Sequence, residues 1–213
     1  MKSKSGNAII VSIYSLALYY VMYRAMSYYI EGHNTKDFSS SMIMAVAGLV
    51  TIPFILYPYF YTPKPKGGGV GTKWEGALWI ILTVVLALVL NVVLTRIPAL
   101  MSDGAYQSSY AKITGGSMLD IILATCVVAP VLEELVFRGI IFSQCKDAFG
   151  AIVGVIFSAV LFGAMHFNLA QFIYGCIMGV VLSIMFNRMK RLYFPILAHA
   201  LCNLATLLMT NYL

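Results

Sequence analysis

Long apolar runs separated by short polar segments fill this chain, and the runs are continuous rather than alternating. Seven stand out, at roughly 7–30, 41–61, 76–95, 118–143, 148–167, 169–187 and 193–211. Each is near the ~20 residues that a helix needs to cross a bilayer. Unbroken apolar runs favour helices over a membrane barrel, whose strands alternate. The pattern predicts an all-α, polytopic membrane protein with about seven transmembrane helices. The first run lacks a small-x-small cleavage site and is expected to be a retained helix rather than a signal peptide. Between the second and third runs, Thr62–Thr72 (TPKPKGGGVGT) is too rich in Pro and Gly for a helix. It has no Gly-Lys-Ser/Thr ending, so a flexible cytoplasmic loop is expected there, not a phosphate cradle.

Composition sharpens the choice of solvent. The chain is 61% hydrophobic and 10% charged, with a mean hydropathy of +0.87, whereas soluble domains carry roughly 25% charged residues. Net charge is +6, but the basic residues flank apolar runs, as a topology signal does, and no nucleic-acid partner is expected. With the N-terminus inside, Lys2, Lys4, Lys64, Lys66, Lys73, Lys146, Arg188, Lys190 and Arg191 lie on the cytoplasmic side. The other side holds Lys36, Arg96 and Lys112, with Arg24 near an outer helix end. This asymmetry predicts a multi-pass cell-membrane protein with its N-terminus cytoplasmic and its C-terminus extracellular. Cys126, Cys145, Cys176 and Cys202 show no Cys-x-x-Cys spacing and read as small packing residues.

Ionisable groups inside membrane helices cost a few kcal/mol each, so each asks for a reason. Glu133, Glu134 and Arg138 lie in VAPVLEELVFRG. Glu134 and Arg138 are four apart on one helical face and can form an ion pair that lessens the cost of burial. A purely structural bridge accounts for that pair but not for Glu133, which is turned about 100° away. Pro130 cannot donate to the helix ladder and is expected to bend this span. His166 closes FGAMH, one turn after Phe162; taken alone it is an ordinary helix-end histidine. His199 and Asn203, in HALCN, again share a face.

Together these residues supply the parts of amide hydrolysis: a base for water, an acid for the leaving amine and donors for the oxyanion. A carboxylate and an imidazole on facing helices can hold and deprotonate a water. Zinc is the alternative, with Glu133, His166 and His199 as ligands, although the contiguous His-Glu-x-x-His helix of zinc proteases is absent.

The blocks Glu133-Glu134-x-x-x-Arg138, Phe162-x-x-x-His166 and His199-x-x-x-Asn203 resemble the signature of the CPBP family. That family comprises the CAAX prenyl endopeptidases of the Ras-converting type and the bacteriocin-processing enzymes, and is also called the Abi family. The resemblance covers roughly 117–207 and includes the flanking Phe137-Arg138-Gly139 and Pro195-Ile196-Leu197-Ala198. The chain reads as an N-terminal part, 1–116, of three helices and loops, followed by a four-helix block, 117–213, which the resemblance implies is the catalytic core. The resemblance further implies that Glu133 and His166 activate the water, that His199 and Asn203 stabilise the oxyanion, and that Glu134 and Arg138 support the site. Both a metalloprotease and a metal-free glutamate mechanism have been attached to the family; no cofactor is favoured here. The expected partners are the lipid bilayer and a membrane-associated peptide or protein substrate, such as a bacteriocin or pheromone precursor. The short chain suggests a bacterial source. A non-catalytic bacteriocin-immunity or membrane regulatory protein is the alternative, and the sequence does not fix the oligomeric state.

Span counting leaves one conflict. At about 1.5 Å per residue, His199 lies roughly 9 Å from the start of its span and His166 roughly 24 Å from Gly150, so they should not be level. Projecting helices or unequal tilts are needed to bring them together. The resemblance favours access to the site from the cytosol. Gly175 and Gly179 form a Gly-x-x-x-Gly step, expected to pack helices closely within the chain.

Overall fold

The computed structural model describes residues 4–33, 38–64 and 71–212. The Gly67–Gly69 part of the 62–72 loop, and Lys2, Lys36 and Lys66, lie outside the described residues. The described residues are almost all helical, with short turns between helices and no strand among them. In order, it forms α1 (Lys4–His33), α2 (Ser40–Tyr61), α3 (Lys73–Thr95), α4 (Pro98–Met101) and α5 (Gly104–Thr114). A composite helix, 118–149, then runs through α6 (Met118–Ile121), a π-helical stretch (Ile122–Val128), α7 (Ala129–Glu134), a second π stretch (Leu135–Phe142) and α8 (Ser143–Phe149). The chain closes with α9 (Ala151–Ala164), α10 (Leu169–Met189) and α11 (Tyr193–Tyr212).

Capping residues set these limits. Ser39, Thr72, Asp103 and Asn168 each accept a backbone N–H from the first turn of the helix that follows. Ser117 and Asp120 form a reciprocal capping box that starts the composite helix. Gly150, at φ 90°, breaks α8 from α9, a conformation that costs glycine little. Lys190, at φ 59°, ends α10 in the left-handed region.

Among the described residues, four helices are long and apolar enough to cross a bilayer: Gly6–His33, Ser40–Tyr61, Lys73–Thr95 and Leu169–Met189. Ala151–Ala164 and Tyr193–Met209 are shorter apolar helices. The seven apolar runs of the sequence fall on these four long helices, the two shorter ones and the composite helix; four of them have the length and hydropathy of a span. Ile81, Leu82, Val85 and Val89 on α3, and Ile152 and Ile156 on α9, are exposed. In water these faces would be untenable; in lipid they are satisfied. The short helices α4 and α5 occupy a stretch for which no helix is expected from hydropathy, because α5 has no apolar run and buries no residue.

The core around the composite helix is apolar. Val136, Phe137, Ile140 and Ile141 pack with Ile55 of α2 and Phe162 of α9, all fully or almost fully buried. α9 and α10 approach most closely at their glycines. A Cβ on Gly175 would lie 2.9 Å from Gly163 Cα, and one on Gly179 would lie 2.8 Å from Ala159 Cα. The Gly-x-x-x-Gly step therefore packs helices inside the chain, as its spacing suggests.

Candidate active site

The π stretches explain how the site is assembled. In the first, the Ala129 N–H bonds to the Ala124 carbonyl, five residues back. Continued one step, this register would ask residue 130 to donate to the Thr125 carbonyl, and Pro130 has no N–H. Asn203 of α11 supplies the missing donor: its Nδ2 reaches the Thr125 carbonyl at 2.7 Å. A side chain from the last helix thus repairs a gap that a proline makes in the composite helix. Wide π turns also advance less per residue than α turns, so counting residues along 118–149 overstates depth.

The depth conflict is resolved by contact. His199 Nδ1 lies 2.9 Å from Glu134 Oε1, and the same oxygen accepts Arg138 Nη1 at 2.8 Å. Arg138 Nη2 donates to the Gly179 carbonyl at 3.3 Å, and its guanidinium sits 4.5 Å from the Phe162 ring centre. Phe162 in turn stacks edge-on with both histidines, at 5.3 Å from His166 and 5.7 Å from His199. His166 Nδ1 is 3.0 Å from the Phe162 carbonyl. It sits in the turn after α9, where Phe167 adopts φ 56°, a strained backbone of the kind that clusters at functional sites.

Burial separates the two glutamates. Glu134 is fully enclosed, while Glu133 keeps 18% of its side chain accessible, 3.7 Å from His199 Nε2. The helical phase expected from the sequence is therefore realised: Glu134 faces the ion pair and Glu133 faces open space. A carboxylate at Glu134 can only accept, so this contact uses a proton on His199 Nδ1 and leaves Nε2 directed toward Glu133. Glu134 Oε2 and Arg138 Nε have no partner among the described residues. Two unpaired buried polar atoms in one ion cluster are costly, and native proteins keep such clusters chiefly where function demands them.

Glu133, His166, His199 and Asn203 all line one cavity of about 660 Å³. The structure brings together all six residues singled out from the sequence, but it pairs His199 with both glutamates and leaves His166 joined to them only through Phe162. Among the described residues, no group of three or more His, Cys, Asp or Glu side chains is arranged to hold a metal ion.

Sequence reasoning missed part of the wall. Tyr19 and Tyr23 of α1 and Asn91 of α3 line the same cavity. Tyr19 also packs edge-on against Phe137, 6.4 Å between ring centres. The only signals were an i, i+4 tyrosine pair and an amide within an apolar run, each common enough to pass as packing.

A helical membrane protein with a buried carboxylate–histidine–arginine cluster opening into a cavity is the class that fold and site define. Residues 116–205 match the family model described as "Type II CAAX prenyl endopeptidase Rce1-like". Over 88 residues the chain is 32% identical to the "Putative membrane peptidase YdiL" of Bacillus subtilis (strain 168). That stretch is 41% of this chain and 36% of the relative, so the match spans about a third of the relative's length. No solved structure matches the chain. The resemblance to CPBP-type CAAX endopeptidases thus holds over the C-terminal block, which contains every residue of the cluster.

Proposed function

We propose that the protein is an intramembrane endopeptidase that cleaves a peptide or protein segment by attack of a water activated between Glu133 and His199. The observation that carries this is the 3.7 Å gap between Glu133 Oε2 and His199 Nε2 at the cavity wall. That separation exceeds a direct hydrogen bond, yet a single water can contact both atoms. The family match over the same residues supports a protease.

In this mechanism Glu133 takes a proton from the water as its oxygen attacks the scissile carbonyl, and the new C–O bond forms as the carbonyl π pair moves to oxygen. Glu133 then returns the proton to the departing amine as the C–N bond breaks. His199 orients the water, with its ring fixed by Glu134, which Arg138 holds in place at 2.8 Å. This differs from the division of roles that the resemblance implies, because Nδ1 of His199 is committed to Glu134 and its other nitrogen faces Glu133. Asn203 spends one N–H on Thr125 and keeps a second for the oxyanion. His166, whose Nδ1 bonds the Phe162 carbonyl, presents Nε2 and can donate there once protonated. No step needs a metal.

The test is cleavage of a pooled peptide library by the protein purified in detergent, with new termini read by mass spectrometry. Glu133→Gln and His199→Ala should each lower turnover by about 10²–10⁴-fold, the usual worth of a positioned acid–base group, with unchanged thermal stability for Glu133→Gln. Equal cleavage by Glu133→Gln would sink the mechanism. A wild-type protein that cleaves nothing in the pool would favour the non-catalytic alternative.

A further inference from the structure

The cavity has a direction. From Glu133 and His199 it runs past Asn91 and Thr95, near the end of α3, to Ser40 at the start of α2 and to Tyr110 and Lys112 on α5. These residues mark the end of the bundle where α1 finishes, α2 begins and α5 lies. The opposite end is sealed. Val136, Ile140, Ile141, Met185 and Met189, each fully buried, pack there beyond the ion cluster. Among the described residues, the lining includes none from 138–157 or 184–198.

Charge assigns the two ends to sides of the membrane. Among the described residues, the sealed end carries Lys64, Lys73, Lys146, Arg188, Lys190 and Arg191; the open end carries Arg96 and Lys112, with Arg24 on the cavity wall. Lysine and arginine accumulate in cytoplasmic segments, so the sealed end is cytoplasmic and the mouth faces outward. Resemblance alone favours the reverse.

We infer that the active-site cavity opens on the extracytoplasmic side, and that its substrate is an exported or membrane-inserted polypeptide that threads an apolar stretch inward past α5. This rests on the proposed endopeptidase activity for its meaning, but not for its test. The walls suit such a segment: Ile43, Met44 and Leu94 offer apolar contact, while Tyr19, Tyr106 and Asn91 offer groups for a peptide backbone. Asn91 Oδ1 is buried without a partner among the described residues, an acceptor that an entering N–H would satisfy.

Sidedness is read by single cysteines in a Cys176→Ser background, with a membrane-impermeant maleimide on intact cells. Ser108→Cys and Tyr110→Cys at the exposed mouth should label in intact cells, and Lys73→Cys at the sealed end only after lysis. The reverse pattern overturns the inference and leaves the endopeptidase proposal untouched. For the path itself, Asn91→Cys should react with a small charged methanethiosulfonate at least tenfold faster than Ile81→Cys, which faces lipid on the same helix. Equal rates would mean that no aqueous path reaches the site from outside. Adding Glu133→Gln should leave every labelling rate unchanged, so that a failed protease and a failed sidedness give different results.

Discussion

Removing Arg138 tests how the charged cluster is held. Its guanidinium is fully buried and lies 2.8 Å from Glu134 Oε1. At an effective dielectric of about 20, two unit charges at that distance attract by roughly 6 kcal/mol, a gross figure set against desolvation. Arg138→Met leaves the Glu134 carboxylate enclosed with only His199 to face it. Breaking a buried pair in this way costs about 3–5 kcal/mol. Glu134→Leu strands the guanidinium and should cost a similar amount. The double variant strands neither charge, and apolar replacement of both partners is often close to neutral, so it should recover to within about 2 kcal/mol of wild type. For a chain of this length each kcal/mol moves Tm by roughly 2–4 °C, so the single variants should fall by roughly 6–20 °C. Cys126, Cys145 and Cys202 are buried free thiols, so a thiol-reactive dye in detergent reports unfolding directly. The double variant should nevertheless be inactive, because His199 loses the acceptor that fixes its ring. A double variant that falls by the sum of the two singles, or an Arg138→Met shift below about 2 °C, would refute this account of the cluster.

Further expectations concern the supports of the site. Asn203→Leu should cost about 1–3 kcal/mol by orphaning the Thr125 carbonyl. Adding Pro130→Ala, which restores a backbone donor, should recover part of that in thermal melts; no recovery would mean that the proline did not create the gap. Gly175→Val should force α9 from α10, because a Cβ there already meets Gly163 Cα at 2.9 Å and His166 Cε1 at 3.6 Å. A loss of about 1–3 kcal/mol is expected from overpacking, whereas Gly32→Ala, with nothing within 4 Å of its Cβ, should leave Tm unchanged. At the basic end, burial and the neighbouring Lys146 push the Lys190 ammonium down to about 8. Its unfolded value is near ~10.4, so between these values the unfolded chain holds more protons and stability should rise with pH from about 8 upward. Lys190→Gln should flatten that rise in pH-dependent melts; an unchanged slope would show that another group sets it.

Much of the site was legible because its residues are out of place in lipid. Glu133, Glu134, Arg138, His199 and Asn203 stand out against apolar runs, and helical spacing alone puts Glu134 with Arg138 and turns Glu133 away. The residue types alone leave zinc, with Glu133, His166 and His199 as ligands, as legible as a metal-free site. Tyr19, Tyr23 and Asn91 escaped notice because tyrosines and single amides are ordinary in membrane helices. Their role comes from which neighbour they face.

The sequence by itself determined the solvent, the helical class, most helix limits and the set of polar residues that must converge. Hydropathy and 3.6-residue periodicity are local properties, and they survive whatever the helices do in space. Only the tertiary structure decided that His199 pairs with Glu134 while facing Glu133, that Asn203 repairs the carbonyl opposite Pro130, and that the cavity runs toward the less basic end. Those outcomes depend on tilt, on π turns that shift register along the composite helix, and on glycine contacts that draw α9 against α10. No window along a single helix contains that information.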